Sequence, residues 1–203
     1  MRMIKIFVLK IIFVLIFFTK NVFADEASRW LKNEIDLILS AYSNNNISNE
    51  ERFSLIETTI NENFAGTGIA KFIAGNAWKV ASKDTKKGYV ESFKRHLALN
   101  IASMMQGYSE QTYELYDSKV DKNNVILIDM EIFSDTGSVV ITWRLKSSKD
   151  RYFVIDLLVA DISLVVTKRS EFNSMLKNVD YDLSEFNKIL MNQNLESYNK
   201  LVN

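Results

Sequence analysis

The side chains able to do chemistry are few in this chain, and their types already narrow it. His96 is the single histidine among 203 residues and cysteine is absent, so thiolate nucleophiles, thiolate-bound zinc, iron–sulfur clusters and polyhistidine metal sites are all excluded. His96 lies three residues after Phe93 and one before Leu97, at the edge of an apolar helical stripe. A general base there would need a serine or carboxylate partner, and none is spaced in sequence to serve. The expectation is therefore a boundary histidine with a satisfied hydrogen bond. Asp156 and Arg169 are placed to form an ion pair tying a strand to the helix after it. Arg144, Lys146 and Lys149 gather near one hairpin, where they could meet a phosphate or an acidic partner; the simpler role is a solvated margin that discourages edge pairing. Phosphate-cradling glycine loops, carboxylate runs for a metal and nucleophile elbows do not occur.

The elements that must position these residues follow from periodicity. Leu31, Ile35, Ile38 and Tyr42 recur at spacings of three and four and predict a first helix. Ser48 with Glu51 forms a capping box opening a second helix through Phe53, Ile56 and Ile60 toward Phe64. A short third helix around Ile69, Phe72 and Ile73 stops at Gly75, with Trp78 just beyond. A long helix runs from Ser82 to about Gly107, with Tyr89, Phe93, Leu97, Ile101 and Met105 in one row. The period then changes to two. A first strand is expected over Tyr113 to Val120, and a second in which Ile126, Ile128, Met130 and Ile132 share a face. Val139, Ile141, Trp143 and Leu145 do so in a third, and Phe153, Ile155, Leu157 and Val159 in a fourth. Short turns make these an antiparallel meander. Two closing helices are expected, from about Ser163 to Asn178 and from Asp182. The fold class is thus α+β: helices from both ends of the chain packed on a curved antiparallel sheet of about four strands.

The N-terminus bears on compartment. Arg2 and Lys5 precede an apolar run from Ile6 to Phe18, and Val22-Phe23-Ala24 places small residues where signal peptidase cuts. A signal peptide over 1–24, cleaved after Ala24, and one domain over 25–203 are expected, since the apolar run falls short of the ~20 residues that span a bilayer. Removing 24 of the 203 residues leaves 179, with 21 basic against 25 acidic side chains, a net charge of −4. That balance argues against nucleic acid and against tight docking on an anionic membrane.

Two stretches resemble the MlaC (toluene-tolerance) family of periplasmic phospholipid-binding proteins. In the first, Phe64, Gly75 and Trp78 match the family's "F…G..W" arrangement, Tyr89 and Phe93 stand for its two helix aromatics, and Ala102 to Tyr108 is similar to its "YA..L..Y" ending. In the second, Phe153-Val154-Ile155-Asp156, then Ile162-Ser163-Leu164-Val165, then Arg169 and Phe172 resemble "YDV.VEGVSLV..YR..F". Ala160-Asp161 replaces the usual Glu-Gly, Lys168 the usual Tyr and Ile101 the usual Tyr, which leaves the turn after the fourth strand open. The resemblance implies a cystatin-like or NTF2-like fold with an apolar cavity between sheet and helices, and a bound phospholipid as cargo with no cofactor. It further implies shuttling of lipid between outer and inner membranes. The partners so implied are an outer-membrane lipoprotein–porin complex and an inner-membrane ABC transporter with a lipid-binding ring. The residues then expected to line the acyl cavity are Trp78, Phe93, Leu97, Ile101 and Met105 from the helical part, with Ile126, Ile128, Met130, Val139, Ile141, Trp143, Ile155 and Leu157 from the sheet. The unbranched Met104, Met105 and Met130 suit such a wall.

Two other functions fit the same pattern of elements. One is an enzyme on this scaffold, with Asp129, Asp156 or His96 as base, which requires a ligand-sized pocket around a perturbed acid or base. The other is a solid-core adaptor.

Overall fold

The structure is a computed structural model that describes residues 25–108, 111–149 and 151–203; the expected cleavage after Ala24 lies outside them. Helix α1 occupies residues 25–43 and buries Leu31 and Ile35. Helix α2 (Asn49–Asn63) opens with the expected capping box, in which the Ser48 hydroxyl accepts from Glu51 N and the Glu51 carboxylate accepts from Ser48 N. Helices α3 (Gly66–Ala74) and α4 (Asn76–Val80) meet at Gly75, whose φ of 56° is one a side chain would strain. Helix α5 (Lys83–Met105) starts at the Ser82 cap.

The sheet is antiparallel and runs β1 (Thr112–Leu115), β3 (Ile126–Ser134), β4 (Gly137–Ser148), β5 (Arg151–Val159) and β6 (Ile162–Ser163), with β2 (Lys119–Val120) also pairing β3. The expected first strand is interrupted: Thr112–Leu115 (β1) and Lys119–Val120 (β2) both lie along β3 (Ile126–Ser134). Strands β4 (Gly137–Ser148) and β5 (Arg151–Val159) follow, and a short β6 (Ile162–Ser163) extends the far edge. Ala160 and Asp161 turn the chain between β5 and β6 with φ of 47° and 65°. Two consecutive left-handed residues make the primed hairpin turn that matches strand twist, built here without glycine. Helix α6 (Leu164–Lys177) and helix α7 (Leu183–Val202) close the chain, capped by Ser163 and Asp182.

Cross-strand register aligns the apolar face in rows: Leu115, Met130, Ile141 and Val159; Ile128, Trp143 and Leu157; Ile126, Leu145 and Val154. The last row corrects the expected fourth strand. A register shift opposite Arg144 and Leu145 leaves Ile155 unpaired between Val154 and Asp156. That bulge adds one residue to a period of two, so the face changes phase: Val154, not Ile155, completes the buried row, and Phe153 pairs with Lys146. Along β4 the face opens steadily, from Leu145 at 0% exposure through half-buried Trp143 and Ile141 to Val139 at 38%.

Helices α5, α7 and α2 pack together while α3 and α6 pack on each other and on β5. An aromatic cluster of Tyr89, Phe93, Phe172 and Phe186 joins α5, α6 and α7, with ring centroids 5.0 to 6.2 Å apart. The α2–α3 junction is stitched to the sheet, since Ala65 N donates to Val154 O at 2.9 Å and Phe64 bridges Val154 in parallel. Among the described residues, no helix is long and apolar enough to cross a membrane.

Candidate functional site: two apolar pockets beside Phe64

Phe64 follows the end of α2 in an extended conformation, held there by the bridge to β5, and it lines two apolar pockets. The first, of about 50 Å³, is enclosed by α3, α5, β5 and α6; Ile69 and Ile73 face Phe93, Leu97 and Leu157 across it. The second, of about 60 Å³, lies among α1, α2, α5 and the sheet, with Ile35 and Ile60 across from Ile101, Trp143 and Val154. Leu97 and Ile101 are one helical turn apart on α5, and Leu157 and Trp143 are direct cross-strand partners. The two pockets therefore adjoin, with Phe64 in the wall of both.

Of the residues expected to line a cavity, Phe93, Leu97 and Leu157 meet in the first pocket, and Ile101 and Trp143 in the second. Ile126, Ile128 and Met130 are buried on the helix-facing side of β3, and Ile141 is half-buried between Met130 and Val159. The remaining four lie elsewhere. Ile155 sits at the bulge and Val139 toward the exposed β3–β4 hairpin. Met105 borders a polar recess with Tyr42, Arg52 and Gln106. Trp78 stands at a helical groove with the Lys86 ammonium over its ring at 5.7 Å. Met104, at 68% exposure, is surface. Sequence reasoning placed Phe64 in a motif but not in the site; its position at the joint of two helical patterns was the available signal.

The polar groups have specific partners. Asp156 does not pair with Arg169. Its carboxylate accepts from Ser163 Oγ at 2.7 Å, from Leu157 N at 2.8 Å and from Val165 N at 3.2 Å, and Arg144 lies at 3.3 Å. It thus ties β5 to the N-terminus of α6 through backbone amides, where negative charge is favoured. Arg169 instead stacks on Phe72 at 4.3 Å. Asp129 accepts from Thr142 Oγ1 at 2.6 Å. Both carboxylates of the enzyme alternative are therefore engaged structurally.

His96 is only half satisfied. Asn194 donates its amide N–H to Ser92 O at 2.8 Å, which turns its Oδ1 toward His96 Nδ1 at 3.2 Å. Nδ1 must then carry the proton, and Nε2 presents a lone pair. Nε2 is shielded from solvent and has no hydrogen-bond partner among the described residues. Burial, then the Lys168 ammonium, hold the imidazole below its usual pKa, against the Asn194 hydrogen bond and the Glu171 carboxylate. Among the described residues, no group of His, Asp and Glu is placed to hold a metal ion.

A family model described as "MlaC protein" matches residues 32–192. The chain belongs to the MlaC family. A similar solved structure is that of the phospholipid-binding protein from Ralstonia solanacearum in complex with a phospholipid, with a TM-score of 0.71 at 14% identity, covering 83% of this chain and 96% of that one. At that identity the likeness speaks for the fold: the MlaC-type α+β arrangement of helices on an open antiparallel sheet.

Proposed function

We propose that the chain is a periplasmic phospholipid carrier, exported by a signal peptide cleaved after Ala24, that conceals acyl tails between sheet and helices and performs no chemistry. The observation carrying this is the pair of apolar pockets that share Phe64 in their walls: two neighbouring compartments suit the two tails of one lipid. Family membership and the phospholipid bound by the Ralstonia solanacearum protein support the same ligand class.

The pockets are narrow here. About 50 and 60 Å³ is far below the ~300–1,000 Å³ of sites that hold drug-sized ligands, so loading must push the walls apart. The half-buried Leu97, Ile101, Ile141, Trp143 and Leu157 are the walls that can move at least cost. Burying roughly thirty methylenes at ~0.8 kcal/mol each would yield ~25 kcal/mol gross. Widening the pockets and ordering the tails oppose this, and no real affinity reaches that figure. Even a fraction makes unaided release slow, so transfer takes place in docked complexes: an outer-membrane lipoprotein–porin complex at one end and an inner-membrane ABC transporter with a lipid-binding ring at the other.

Native mass spectrometry of protein purified without detergent tests the proposal. A stoichiometric phospholipid is expected; a chain that stays empty after exposure to phospholipid vesicles would favour the solid-core adaptor.

A further inference from the structure

The pocket among α3, α5, β5 and α6 is apolar inside, but four polar side chains border it: His96 and Asn100 from α5, Asp156 from β5 and Lys168 from α6. Asn100 turns its amide N–H back on His96 O at 2.6 Å, and the Asp156 carboxylate is taken up by Ser163, two backbone amides and Arg144, which leaves His96 and Lys168 to face a ligand. Lys168 is partly exposed and pairs with Glu171 at 2.8 Å, so this border reaches solvent. α6 leaves the sheet at the end where β4 begins, because Val159 of β5 pairs with both Ile141 and Ile162. That is the end where the sheet's apolar face opens toward Val139. A lipid with its tails inward would hold its headgroup there.

Resting on the carrier function proposed above, we propose that His96 selects headgroups that carry a hydrogen-bond donor, the primary ammonium of ethanolamine or the hydroxyls of glycerol, over quaternary choline. The chemistry is fixed by a chain of three contacts. Ser92 O orients the Asn194 amide, Asn194 Oδ1 sets the His96 tautomer, and the remaining Nε2 lone pair accepts and cannot donate. A shielded acceptor without a partner is a standing cost that a donor removes. Choline has no N–H or O–H to offer, whereas the Lys168 ammonium can serve the phosphate common to all three lipids. Lys168 stands where the family resemblance places a Tyr, so this border is a feature of this chain.

The test uses delipidated, untagged protein and vesicles of a single acyl composition with ethanolamine, N,N-dimethylethanolamine, glycerol or choline headgroups, with uptake measured by competition. Ethanolamine and glycerol lipids are expected to win over choline by roughly two- to tenfold, the worth of one hydrogen bond. The dimethyl lipid, which keeps one N–H, should side with the donors, and His96→Phe should bring the ratios to near one. A second measurement needs no variant. His96 is the only histidine, so its imidazole nitrogens give unambiguous ¹⁵N signals, and the unprotonated one should shift between the ethanolamine-loaded and choline-loaded forms. Equal uptake of all four lipids, or an Nε2 signal blind to headgroup, overturns the selection while leaving the carrier intact. Failure to take up any of them overturns both.

Discussion

Two concave regions of this molecule differ in almost every respect. The groove between α2, α5 and α7 has a volume of about 1050 Å³, ample for a ligand, but Lys86, Lys87, Lys94, Arg95, Glu57 and Glu91 border it beside the apolar Trp78, Val90, Met191 and Leu195. The pockets beside Phe64 are some twentyfold smaller, and their walls are nearly all apolar. For a ligand whose affinity comes from hiding methylenes, a groove rimmed by charged side chains leaves more of the acyl chain exposed to water than apolar walls that close around it. Apolar walls that can part count for more. On the proposed function, a lipid site is marked by composition and by half-buried side chains, not by size.

The strongest way to break that contrast is to alter each region in turn. Leu97→Trp and Ile101→Trp add bulk to the two pockets and should abolish most lipid occupancy by native mass spectrometry. Lys87→Glu and Met191→Ser in the groove should leave it intact. The reverse result would move the lipid site to the groove. Stability of the filled variants must be compared with delipidated wild type, since bound lipid itself stabilises; overpacking a solid core would cost about 1–3 kcal/mol.

Next in size is the buried carboxylate beside the first pocket. Asp156 is 5% exposed, and Asp156→Ala would strand Ser163 Oγ and two backbone amides. A loss of about 3 kcal/mol in denaturant unfolding is expected, from unsatisfied buried donors and an unpaired Arg144. A loss below about 1 kcal/mol would mean that water serves those donors and the pocket border is wet.

A smaller effect separates the regions by pH. His96 belongs to the pocket, and its folded-state pKa lies below the ordinary 6.5. Between those two values the unfolded chain binds the proton and the folded chain does not, so stability rises with pH through this window and is lost as pH falls below about 6.5. The slope from one group is at most about 1.4 kcal/mol per pH unit. Glu34, raised by burial and by the neighbouring Glu62, acts with the opposite sign, losing stability as pH rises. The measure is therefore the difference between wild type and His96→Phe in melts from pH 7 to 5. A variant with an unchanged slope would place His96 in contact with water.

The smallest expected change lies outside both regions. Asp161 holds a φ of 65°, and Asp161→Gly should raise stability by about 0.5–1 kcal/mol by relieving left-handed strain, reduced by the entropy glycine adds to the unfolded chain. No change in lipid occupancy should accompany it; a change would tie this turn to loading.

Helix positions and caps were legible in the chain because their signals are local. Ser48 with Glu51, Ser82, Gly75 and Asp182 act within four residues of where they stand. The α+β class and the apolar faces of β3 and β4 were legible for the same reason: a period of 3.6 or 2 is a property of consecutive residues. The family resemblance likewise rested on motif order along the chain. The bulge at Ile155 was invisible, since whether one residue is extra depends on the partner strand, and it moved Val154 into the core in place of Ile155. Partner choice for Asp156 and Arg169 was equally non-local: once α6 had docked, backbone amides and Ser163 lay nearer the carboxylate than the guanidinium did, and Phe72 lay under the latter. The half-satisfied state of His96 came from Asn194, 98 residues away. The sequence by itself thus determined which segments are helix and strand and which side chains are apolar. Only the tertiary structure decided which apolar faces stay partly open, because that depends on how closely helices from both ends of the chain cover a sheet formed between them.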